Sequence, residues 1–155
     1  MNPFEMIGKQ WMLVTAKKDD KVNTMTASWG GLGVMWGKEV AFVVIRPQRY
    51  TKEFIDASNE LSLSFYKEEY RKTLSYFGSV SGKDEDKINK MGFHTLYKDG
   101  IPYFEEAETI LFGKVLYKQP MDAKFLIEQD IDSKWYSNHD YHELYIVEIT
   151  NTIKR

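Results

Sequence analysis

Residues Asn23 to Thr51 read NTMTASWGGLGVMWGKEVAFVVIRPQRYT, and this stretch decides how the rest of the chain is understood. Thr24, Thr26 and Ser28 fall at alternate positions and share one face of a strand. Gly30, Gly31 and Gly33 then predict a turn where side chains would clash. Val40 to Ile45 is a short apolar run rich in β-branched residues, suited to a buried strand. It runs into Arg46-Pro47-Gln48-Arg49-Tyr50-Thr51. Pro47 ends the strand, and Thr51 is expected to cap a helix carrying Phe54 and Ile55. Two guanidiniums, a hydroxyl and helix N-terminal amides would then meet in one small volume. Those are the parts of a phosphate site, the alternative being two surface arginines at a strand end.

Working outward, 155 residues suit one domain spanning 1–155 with a single proper core. Aromatic residues make up 15% of the chain, which favours a β-rich body with aromatic-lined clefts. Net charge is only −2 with Lys and Arg scattered, which argues against nucleic acid as a partner and makes any anion site local. The absence of cysteine excludes disulfides, thiolate metal sites and cysteine nucleophiles, so redox chemistry would need a cofactor. Glu5 and Lys9 interrupt the apolar residues at the amino terminus, unlike a signal peptide. No apolar run approaches the ~20 residues that span a bilayer, so no membrane partner and a cytoplasmic location are expected.

Trp11 to Ala16 predicts a first strand, joined through the polar turn Lys17 to Lys21 to the strand beginning at Val22. A helix over 52–58 is followed by the alternating Leu61-Ser62-Leu63-Ser64-Phe65, read as a half-buried strand. Tyr70, Leu74 and Phe77 recur at helical spacing, with Gly78 as the expected C-cap. Ser79 to Lys87 reads as a turn opening a short helix in which Ile88 and Met91 face inward. Residues 93–108 read as an irregular, solvated edge. Thr109–Tyr117 and Leu144–Ile149 predict further strands, and the segment between them is ambiguous, with a short helix near Ala123. About six strands with short helices imply a mainly β protein built as a small barrel.

Of the three histidines only His139 and His142 are close in sequence, too few ligands for a metal site, and none is expected. Ser28 lacks the glycine-flanked elbow of a serine hydrolase. His142, just before a strand, is open to a structural or a catalytic reading. The hydroxyl-bearing strand, glycine segment and cationic strand end suit a ligand with a polar planar ring at one end and a phosphate at the other. FMN is such a ligand.

Four stretches, Asn23 to Gly31, Arg46 to Thr51, Ser81 to Lys87 and Asp140 to Ile146, together resemble the flavin reductase-like, FMN-binding split-barrel family, in its flavoredoxin-like branch. That resemblance implies a six-stranded split barrel forming a homodimer, with FMN near the interface. It implies cofactor contacts from Asn23, Thr24, Met25, Thr26, Ala27, Ser28 and Trp29, the middle three lining the ring mostly through backbone groups. Arg46, Gln48, Arg49, Tyr50 and Thr51 would hold the phosphate end, supplemented by Ser81 and Lys87. His142 matches the histidine beside which nicotinamide arrives in related reductases. Two functions follow from the resemblance: an NAD(P)H-dependent flavin reductase with NADH or NADPH as co-substrate, or an electron carrier reduced by a partner protein. Val147 stands where many reductases have glycine, which sets an expectation of narrowed nucleotide access there.

Overall fold

A computed structural model describes residues 1–155. The chain opens with a single helical turn, α1 (Pro3–Glu5), then the strands β1 (Met12–Lys18), β2 (Lys21–Ala27), β3 (Gly30–Met35) and β4 (Lys38–Ile45). Helix α2 (Tyr50–Ser58), strand β5 (Glu60–Phe65) and helices α3 (Arg71–Ser79) and α4 (Lys87–Lys90) follow. A hairpin of β6 (Thr95–Lys98) and β7 (Ile101–Phe104), the long strand β8 (Thr109–Pro120), helix α5 (Asp130–Trp135) and the long strand β9 (Glu143–Lys154) complete it. No helix is long and apolar enough to cross a membrane.

Seven strands form one antiparallel sheet in the order β2-β1-β5-β8-β9-β4-β3. Register shifts at Phe112/Gly113 and Val115/Tyr117 interrupt the β8–β9 ladder, and such bulges add local twist and bend. Alternation along the strands divides the apolar residues between two cores. Met12, Val14, Met25, Val43, Leu63 and Tyr145 pack with Phe54 and Ile55 of α2 in the first. Leu13, Ile110 and Phe112 pack with Leu74 and Phe77 of α3 and with Ile101 and Phe104 of β7 in the second.

The structure differs from expectation in ways that have physical causes. Gly30, Gly31 and Gly33 lie in β3, paired residue by residue with β4, so the main sheet has seven strands where six were expected. The reversal comes later, at Trp36 (φ 54°) and Gly37 (φ 71°), a two-residue loop whose positive φ values match the twist of the flanking strands. Residues 93–108 form the β6–β7 hairpin, which covers the outer face of β5. Ser62 and Ser64 are therefore fully buried, Ser62 donating to the Pro102 carbonyl at 2.6 Å and Ser64 bonding the Tyr66 hydroxyl at 2.9 Å. Gly78 lies inside α3 instead of capping it; a Cβ there would come within 3.3 Å of the Thr26 Cβ, so its bareness lets the helix approach β2. Val147 is fully buried among the first-core residues.

The hairpin's burial is testable. Phe104→Ala should destabilise the fold by about 3–5 kcal/mol in urea unfolding, whereas Glu105→Ala on the exposed side of the same segment should stay within about 0.5 kcal/mol.

Candidate functional site

Strand β2 is an edge of the sheet, bonded to β1 alone, so alternate backbone N–H and C=O groups point away from the ladder. Its side chains are spoken for. Thr24 bonds the Thr15 hydroxyl at 2.8 Å and donates to the Val14 carbonyl, and Thr26 donates to the Leu74 carbonyl on α3 at 2.5 Å. The hydroxyl face read from sequence as ligand-lining is thus turned, at Thr24 and Thr26, toward the protein. On the opposite face Asn23 donates to the Thr51 hydroxyl at 2.8 Å. Thr51 is buried there and does not cap α2, whose N-cap is Arg49 without a side-chain cap. The first-turn amides of α2 therefore have no side-chain acceptor.

Along the open edge lie two cavities. The first, about 190 Å³, is enclosed by Asn23, Thr24 and Met25, by Gln48 to Thr51, by Gly78 to Gly82 and by Lys87. Gly82 presses its backbone on the Asn23 carboxamide, and a Cβ there would collide with it. Lys87 is buried, donating at 2.9 Å to the carbonyls of both Phe77 and Val80, which leaves one of its three protons unspent. Arg49 makes no side-chain hydrogen bond and no ion pair in the protein. Burial, and then the charge of Arg46, push the Arg49 pKa down; burial, and then Arg49, push Lys87 down to about 8 against the pull of Glu85. No carboxylate lines this cavity, so two desolvated cations share its wall, with Glu85 acting on Lys87 from outside it. Such a place favours an anion.

The second cavity, about 180 Å³, is bounded by Met25 to Trp29, Val44, Arg46, Arg49, Trp135 and His142. Met25 and Arg49 line both, which makes the two one elongated site. Arg46 belongs to this second end and is absent from the lining of the first. Its guanidinium pairs with Asp140 at 3.0 Å, donates to the Trp135 carbonyl at 3.0 Å and lies 5.0 Å from the centre of the Tyr136 ring. Gln48 donates to the other Asp140 oxygen at 2.8 Å, so its carboxamide is also engaged. Trp29 packs edge-on against Trp135, with ring centres 4.9 Å apart, and lies 5.2 Å from the His142 ring. His142 is buried, with Nδ1 bonded to the Tyr136 hydroxyl at 2.7 Å; burial, and then Arg46, push its pKa down to about 4.

All fourteen cofactor-contact residues expected from sequence border this groove or its walls, with Arg46 moved from the anion end to the aromatic end. Tyr50 packs on Phe54 at the groove wall, its hydroxyl accepting from Lys21 at 3.1 Å, and Ser81 lines the anion end, its side chain accepting from the Lys83 amide. Val44, Gly78, Gly82, Trp135, Tyr136 and Asp140 join the site without having been singled out. Asp140 and Gly82 lay within motifs already noted, whereas Trp135 and Tyr136 sat in a segment with no clear period. A larger polar cavity of about 480 Å³ adjoins the anion end through Asn23, Gly82 and Lys87, with Asp84, Glu85 and Asp86 on its wall. Elsewhere His94 clusters with Glu105 and Glu106, its Nδ1 already held by Glu106 at 2.6 Å.

The sequence profile of the family described as flavin reductase like domain matches residues 5–153. The chain belongs to this family. By sequence, no curated protein matches it. Among solved structures, this flavin reductase-like chain superposes on flavoredoxin from Methanosarcina acetivorans with a TM-score of 0.76 at 20% identity, covering 94% of this chain and 68% of that one. An FMN-binding protein from Thermus thermophilus with bound p-hydroxybenzaldehyde gives 0.74 at 19% identity, over 94% and 71% of the two chains. A split-barrel-domain protein from Shewanella frigidimarina gives 0.75 at 14% identity, over 99% and 72%. The mainly β split-barrel fold of this family member is thereby established.

Because the folded pKa of His142 lies below its ordinary 6.5, the unfolded chain binds the extra proton first as pH falls. The stability tied to its neutral form is therefore present above 6.5 and is lost as pH falls toward about 4. His142→Gln should lessen this acid sensitivity, read as a smaller shift of the urea midpoint across that window than the wild type shows.

Proposed function

We propose that this chain binds FMN noncovalently along the open edge of β2 and acts as an NAD(P)H-dependent flavin reductase. The observation that supports it most is the unpaired Arg49 beside Lys87 in a cavity free of carboxylates, at the end of a groove whose other end is aromatic. The donor set fits the cofactor: a phosphate would take the Arg49 guanidinium, the spare Lys87 proton, Ser81 and the α2 amides, and gain charge-assisted bonds. The ring would lie against backbone groups of Thr26, Ala27 and Ser28, under Trp29. When bound, the flavin would supply the redox chemistry, accepting a hydride from a nicotinamide.

The remaining roles fall to the protein. Arg49 and Lys87 fix the phosphate and so the reach of the ring. Arg46, held by Asp140, keeps a positive charge at the ring end without being free to swing. Trp29 and Trp135 offer partly exposed aromatic surface at that end, and His142 would face a second planar ligand there. In the empty site Lys87 neutralises as pH rises through about 8, so above that pH phosphate binding would have to take up a proton to regain this cation.

The same reading includes a homodimer. Val34, Met35 and Trp36 at the β3–β4 tip are exposed, with Trp36 standing 6.3 Å from the ring of the exposed Tyr117. An apolar patch on an edge strand suits a second copy. Trp36→Asp should shift sedimentation toward monomer at micromolar concentration.

Arg49→Ala should weaken FMN at least tenfold more than riboflavin in fluorescence titration, because only FMN carries the phosphate; equal losses would refute the anion assignment. The FMN advantage over riboflavin should also shrink as pH is raised from roughly 7 to 9. Anaerobic NADH or NADPH should bleach the bound flavin. Bleaching by dithionite alone would favour instead an electron carrier reduced by a partner protein.

A further inference from the structure

Tyr136 closes α5 and His142 precedes β9, and the loop between them returns the two side chains to hydrogen-bond distance, 2.7 Å between hydroxyl and Nδ1. Both residues are buried. The Tyr136 hydroxyl has no other side-chain partner in the protein, and burial holds the phenol protonated by raising its pKa, with Arg46 and the His142 backbone opposing. A buried hydroxyl needs an acceptor for its proton, and Nδ1 is the acceptor within reach. Were Nδ1 to carry the proton instead, the phenolic proton would have nowhere to go.

The second nitrogen is equally constrained. Nε2 of His142 has no protein partner, and no fully enclosed side-chain nitrogen or oxygen in the protein lacks one. Nε2 therefore opens to the cavity that the ring lines beside Trp29 and Arg46.

We infer that Tyr136 is a positioning residue: its hydroxyl donates to Nδ1, fixes the Nε2–H tautomer, and makes His142 a neutral hydrogen-bond donor for a carbonyl or carboxamide oxygen of a planar ligand. The ligand half of this inference rests on the reductase reading; the tautomer does not. The charged groups around the ring are Arg46 and Arg49, which disfavour imidazolium, and Asp140, which favours it but is shared between Arg46 and Gln48. His142 then works as a fixed dipole and carries no proton to or from the reaction.

Two measurements test this. In cofactor-free protein labelled with ¹⁵N-histidine, NMR should find Nε2 protonated and Nδ1 bare across roughly pH 5.5 to 8, with Tyr136→Phe mixing the tautomers. A proton on Nδ1 in the wild type overturns the inference. In the FMN-loaded protein, Tyr136→Phe should raise KM for the nicotinamide nucleotide roughly three- to tenfold while leaving FMN affinity unchanged, since one hydrogen bond is loosened. His142→Gln, which keeps an N–H donor near the Nε2 position, should retain more activity than His142→Ala. Unchanged nucleotide kinetics in Tyr136→Phe overturns the positioning role. If neither nucleotide reduces the wild type, the reductase reading fails, and a fall in the Nε2–H population in Tyr136→Phe still upholds the Tyr136 lock.

Discussion

One side of β2 has no strand beside it, and the site follows from that. An unpaired edge offers a row of backbone donors and acceptors at fixed spacing, useful to a flat polar ligand and hazardous if it meets another edge. Here the strand is fastened from both faces. Asn23 to Thr51 ties it to α2, Thr26 to Leu74 ties it to α3, and Thr24 to Thr15 ties it to β1. The polar side chains of the strand spend their hydrogen bonds on holding it still, while its backbone stays open.

The charge arrangement adds a second constraint. Arg46 and Arg49 leave the end of β4 only three residues apart, and Lys87 is brought against Arg49 by the turn before α4. Asp140 compensates Arg46, so Arg49 and Lys87 remain in mutual repulsion across a partly dry cavity. An anion that enters relieves that repulsion as well as forming new bonds. Occupancy is therefore expected to stabilise the fold, since whatever binds only the native state raises its stability.

Much of this was legible in the chain. Strand β4, the break at Pro47, α2 and the cationic strand end are local patterns, and local patterns are what a sequence displays. The glycines of β3 misled because glycine favours turns in general, whereas pairing with the whole length of β4 is a tertiary fact. Residues 93–108 looked solvated because their acidic residues cluster in sequence; the hairpin they form buries Ile101 and Phe104 among Leu13, Phe77 and Phe112. Thr51 looked like a cap until its distant partner Asn23 was in place. Arg46 could not be told from Arg49 by composition, since the difference between them is Asp140, 94 residues away from Arg46. Tyr136 was invisible for the same reason: its meaning lies in His142.

Asp140 does more than neutralise a charge. One of its oxygens meets Arg46 and the other meets Gln48, so a single carboxylate bolts the 137–140 loop to the segment that follows β4. A loop bolted in this way makes a poor door. Ligands would enter and leave along the groove without waiting for that loop to swing, so the pace of exchange would be set by how firmly each end is gripped. Were a ligand to lie along the groove as proposed, its two ends would be gripped by different elements, Arg49 and Lys87 at one and Trp29 and Trp135 at the other.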